Sequence, residues 1–83
     1  MPLIMIEYTF DPPITDDVMD QAAARLAPCL DERHAKWVTS YLAVDRRRRI
    51  CVFEAKDAEA VRQAYRSASI PFERAWTAEQ IGG

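Results

Sequence analysis

The 83-residue chain carries one histidine, two cysteines and two glycines, and each scarcity removes a class of chemistry. A lone His34 cannot build a histidine-rich metal centre within one chain. It precedes the second strand-like run and reads as a solvated residue at a helix end. Cys29 and Cys51 are too far apart for a CxxC redox or zinc pair and too few for a disulfide scaffold, so both are expected as small buried hydrophobes. No phosphate loop, dinucleotide fingerprint or Ser/His/Asp arrangement occurs. The opening MPLIMIEYTF lacks a basic flank and meets Glu7 and Asp11 too early for a signal peptide or a membrane span, so a cytoplasmic location is expected. Strong positive charge is missing as well: the formal net charge is -2, which argues against nucleic acid as a partner, and no RNP-type aromatic pattern appears.

What is present describes a compact globular domain, with 49% hydrophobic and 29% charged residues and five prolines. Eighty-three residues make a single domain, 1–83, of a size that barely buries enough surface to be stable alone. Leu3 to Phe10 reads as a strand stopped by Asp11, Pro12 and Pro13. Thr15 is placed to cap a helix whose first turn holds Asp16 and Asp17, and Val18, Ala22, Leu26 and Cys29 or Leu30 give it one apolar stripe. Pro28 lacks the N–H that the Ala24 carbonyl needs, so a kink or restart is expected there. Trp37 to about Val44 and Arg48 to Ala55 read as a hairpin. A two-residue turn at Arg46 and Arg47 would set Leu42 opposite Cys51, Tyr41 opposite Val52 and Thr39 opposite Glu54. Asp57 caps a second helix through Val61, Ala64, Tyr65 and Ala68, ended by Ile70 and Pro71, and Phe72 to about Gln80 closes the chain as a fourth strand.

The order βαββαβ has one compact solution, the α+β ferredoxin-like sandwich: a four-stranded antiparallel sheet with both helices on one face and strands one and three in the centre. Large apolar residues fall on the other face too, with Leu3, Met5, Trp37, Tyr41, Ile50 and Val52 assigned there. A second copy of the same sheet is the simplest cover, so a homodimer is expected. Tyr8, Phe10, Phe53, Tyr65, Phe72 and Trp76 are spaced like core aromatics. The run Arg46 to Arg49 alternates between faces, so it reads as a solvated hairpin tip and not as a phosphate clamp.

Glu7 and Glu54 fall on the open face from neighbouring strands, with Thr39 and Tyr41 hydroxyls nearby. Carboxylates on an apolar surface need a cation, a basic partner or hydrogen-bond donors. That marks them as candidate ligands, with pairing to Arg74 or to an arginine of a second subunit as the plain alternative.

Several segments together resemble a known family. They are Trp37-x-x-Ser40-Tyr41, Asp45 before a basic turn, Cys51-Val52-Phe53-Glu54-Ala55, a helix opening Asp57-Ala58-Glu59, Ile70-Pro71, and Glu7 in an E-Y-T-F context. They are similar to small bacterial ferredoxin-like proteins described as nickel-binding or nickel-responsive. The resemblance implies a homodimer with metal-binding capacity and matches at Glu7, Tyr41 and Glu54. Where the family often has histidine this chain has Thr39, which removes the nitrogen ligand nickel prefers. The leading expectation is therefore a dimeric binding protein for nickel or another divalent transition metal, or for a small molecule, without an organic cofactor. Glu7 and Glu54 would supply carboxylates and Tyr41 would orient them. Two alternatives stand beside it. One is a small isomerase or cofactor-free oxygenase holding an apolar substrate on the sheet face, with Glu7 or Glu54 as general base. The other is a structural interaction module.

Overall fold

The computed structural model describes residues 1–82. Its elements run β1 (Leu3–Thr9), α1 (Asp16–Glu32), β2 (Lys36–Leu42), β3 (Arg48–Glu54), α2 (Ala58–Ser67) and β4 (Arg74–Ala78). The sheet order is β2-β3-β1-β4 with every neighbouring pair antiparallel, the ferredoxin-like arrangement. β1 and β3 are central, as the βαββαβ order requires.

The core lies between the sheet and the helices. Ile4, Ile6, Phe53, Val61 and Tyr65 are its largest fully buried side chains, each stabilising the fold by roughly 1.5–3 kcal/mol. Tyr65 is the hub of an aromatic cluster, with ring centroids 5.7 Å from Tyr8, 5.9 Å from Phe53 and 5.6 Å from Phe72. Phe10 stacks on Tyr8 at 5.8 Å. Trp76 departs from the expectation of a core aromatic: β4 turns it to the open face, where it is 41% exposed.

Both helices begin as their caps dictate, with Thr15 accepting from the Val18 amide at 3.3 Å and Asp57 from the Ala60 amide at 2.8 Å. Both end in the same six-residue closure. After α1, Ala35 N–H donates to the Leu30 carbonyl and His34 N–H to Asp31. After α2, Ile70 donates to Tyr65 and Ser69 to Arg66. His34 (φ 54°) and Ser69 (φ 58°) occupy the left-handed position that glycine usually fills. The helix does not restart at Pro28; α1 runs unbroken to Glu32. Ala24 and Pro28 are both exposed, so water can take the unpaired Ala24 carbonyl.

The hairpin corrects the expected register. Ala43 N–H donates to the Arg48 carbonyl at 2.9 Å and Arg46 N–H to Ala43 at 2.8 Å, so residues 44–47 form a four-residue connection with Arg46 left-handed (φ 63°). Leu42 faces Arg49, Tyr41 faces Ile50 and Thr39 faces Val52. This is an even shift of two, which keeps those residues on their expected faces. A bulge between Trp37 and Thr39 then inverts the strand, so Trp37 pairs with Phe53 and falls on the helix side, not on the open face.

Candidate functional site on the open sheet face

The register lays the open face out in rows. One runs Tyr41, Ile50, Glu7, Arg74; the next runs Thr39, Val52, Met5, Trp76; a third runs Lys36, Glu54, Leu3, Ala78. Glu7 and Glu54 do share this face on adjacent strands. They are nonetheless four residues apart along the strand direction, about 13 Å at strand rise. Tyr41 stands in the row of Glu7 with Ile50 between them, roughly 10 Å away across two strand spacings. Thr39 faces Val52 and not Glu54, and Glu54 has Lys36 and Leu3 as its cross-strand neighbours.

Glu7 already has partners. The Trp76 Nε1–H donates to Glu7 Oε2 at 2.7 Å, and the guanidinium groups of Arg48 and Arg74 lie 4.0 Å from its two oxygens. Its side chain is 20% exposed, so an indole donor and two flanking cations compensate its partial desolvation. The anticipated Arg74 pairing is thus present, and Trp76, read from the sequence as core, is the donor that was missed. Its position on β4 opposite Met5 was the available signal; β4 begins at Arg74, two residues later than expected.

Nickel makes demands that one chain does not meet. No cluster of three or more histidine, cysteine or acidic side chains converges among the described residues. His34 terminates α1, Cys51 is buried on the helix side, and Cys29 lies on α1. The donors of the open face are oxygens on separate rows, with arginines beside the best of them. These residues do not fit a nickel ion within a single chain.

The basic run disperses, as alternation requires. Arg46 pairs with Asp16 at 2.7 Å, Arg47 with Asp11 at 3.3 Å and Arg48 with Glu7, while Arg49 turns to the helix side and donates to Ser40 Oγ at 3.4 Å. The substrate pocket anticipated on the open face is not where the fold makes its concavity. A cleft of about 930 Å³ lies on the opposite side of the sheet, under α1. No helix among the described residues is long and apolar enough to cross a membrane.

In fold, the chain is similar to the crystal structure of SCO4226 from Streptomyces coelicolor A3(2), with a TM-score of 0.84 over 96% of this chain and 99% of that one, at 16% identity. The crystal structure of an unknown protein from Galdieria sulphuraria is similar at a TM-score of 0.55 and 15% identity, covering 98% of this chain and 46% of that one. No curated protein matches by sequence. The family of nickel responsive proteins like SCO4226 matches residues 5–77, nearly the whole domain. With its βαββαβ order and the segment from Trp37 to Ala55 inside that match, the chain belongs to the SCO4226-like nickel responsive protein family.

Proposed function

We propose that the protein is a cytoplasmic homodimeric binding protein that pairs through the open sheet face and engages nickel or a related divalent ion only through groups combined from two copies. The observation that carries this reading is the open face itself. Tyr41 is 66% and Trp76 41% exposed there, contiguous with Leu3, Met5 and Ile50. An apolar face of this kind on a small domain is a pairing surface. The separation of the carboxylates gives the pairing a chemical role. A two-fold axis that reverses the strand direction lays the Glu54 end of one face over the Glu7 end of the other, and Tyr41 reaches the same region. Oxygen donors from both copies then converge where one chain has too few. Such a site is weak and acid-sensitive, because its ligands must be deprotonated.

Calorimetric titration of tag-free protein with nickel tests this. Glu7→Gln and Glu54→Gln are each expected to weaken binding at least tenfold without changing the dimer. Thr39→His, which adds a nitrogen donor to the same face, is expected to tighten it. Absence of nickel uptake by the dimer, or unchanged affinity in both Gln variants, rules the metal role out.

A further inference from the structure

The cleft under α1 has the features of a built ligand site, and the functional reading above leaves it unused. Its helix wall is the first half of α1, which stays largely unburied. Only Leu26 and Leu30, in its C-terminal half, are buried, and Val18 near its start is 51% exposed. The helix side of β2 is therefore left partly open, and the bulge at Val38 delivers Trp37 to this side. Val18, Met19 and Ala22 form the helix wall, and Tyr8, Phe53 and Tyr65 the floor. At about 930 Å³ the volume is at the upper end of the range of small-molecule pockets.

Polar groups converge at one end of this apolar space. Trp37 Nε1–H donates to Ser40 Oγ at 2.9 Å, Ser40 Oγ–H donates to Cys51 Sγ at 3.0 Å, and the Tyr8 hydroxyl, bonded to that of Tyr65, lies 3.6 Å from the same sulfur. Arg49 joins them through Ser40. Its charge has no carboxylate in ion-pair range among the described residues, whereas Arg46, Arg47 and Arg48 each have one. The two acidic residues of the cleft are exposed ones: Asp11 is engaged by Arg47, and Asp20 lies on α1. A half-buried guanidinium without a counterion, held at the end of an aromatic-lined cavity, is complementary to an anionic head on an apolar body.

We infer that this cleft binds an amphipathic organic acid, with an aromatic body between α1 and the sheet and a carboxylate on Arg49 beside Ser40 and Trp37. The cleft lies on the side of the sheet opposite the proposed pairing face, so this site stands whether or not that face binds metal.

Trp37 is the natural reporter. In Trp76→Phe protein it is the sole tryptophan, and its fluorescence is titrated with 1-naphthaleneacetate and with the uncharged 1-naphthaleneethanol. Saturable binding is expected, at least tenfold tighter for the acid than for the alcohol. Arg49→Gln is expected to lower the acid to the affinity of the alcohol while leaving the alcohol unchanged, and Arg49→Lys to restore a preference for the acid. Ala22→Phe, which fills the cleft from α1, is expected to weaken both probes, and circular dichroism confirms that each variant is folded. Lack of saturable binding by either probe, equal affinity of acid and alcohol, or an Arg49→Gln variant that keeps the preference overturns the proposal.

Discussion

Tyr8 and Tyr65 place their hydroxyls against each other inside an otherwise apolar core, with the Cys51 sulfur as a third member. Burial pushes both phenols far above their ordinary range; the neighbouring Tyr65 and Cys51 add to the effect at Tyr8, and Cys51 adds to it at Tyr65. The direction determines the pH response. A phenol whose folded value is raised contributes stability that is fully present below the unfolded value of about 10. That stability is lost as pH rises beyond it, because the unfolded chain releases protons that the folded chain retains. Urea unfolding is therefore expected to give constant stability across this transition up to about pH 10 and a fall above it, approaching about 1.4 kcal/mol per pH unit for each tyrosine. Replacing both by Phe flattens that fall. His34 offers a second test at this scale. As a non-glycine residue at φ 54° in a helix closure it bears a backbone cost, so His34→Gly is expected to raise stability by about 0.5–1 kcal/mol in the same assay. A loss would show that the imidazole makes a compensating contact.

At the scale of elements, two local irregularities shape the molecule. The first is Pro28, which α1 absorbs because the affected turn faces water. Proline in a helix interior costs up to about 3 kcal/mol relative to alanine, offset by up to about 1 kcal/mol through the stiffer unfolded chain. Pro28→Ala is accordingly expected to raise stability by about 2 kcal/mol, measured by thermal or urea unfolding. The second is the bulge in β2, which separates Trp37 from Tyr41 and gives each face of the sheet one of them. A regular strand would put Trp37 beside Thr39 and Tyr41 on the open face and leave the cleft without its indole.

At the scale of the whole molecule, the open face sets the assembly. Tyr41 is the most exposed aromatic of the chain and lies beside Ile50 on the outer strand pair. A charge there costs little in a lone chain and much in a closed interface. Light scattering at micromolar concentration is expected to report a dimer for the native protein, for Tyr41→Phe and for Arg47→Ser at the hairpin tip. Tyr41→Lys is expected to be monomeric with an unchanged circular dichroism spectrum. A native monomer, or a dimeric Tyr41→Lys, would refute pairing through this face.

The sequence by itself determined the element order, both N-caps, the second-helix stop before Pro71 and the central placement of β1 and β3. Each follows from periodicity, capping chemistry or connection geometry, which are local properties of the chain. It also placed Glu7 and Glu54 on one face, because strand alternation fixes sides independently of any even shift in register. Three other features belong to the tertiary structure alone. The four-residue turn decided that Thr39 faces Val52; the Val38 bulge moved Trp37 to the helix side; and the unburied first half of α1 left the cleft open with Arg49 as its cation. None of the three is encoded in a short window, since a bulge, a turn length and the seating of a helix are settled by how distant segments pack. Residue identities establish which element and, where a strand is regular, which face, while packing alone establishes which side chains meet.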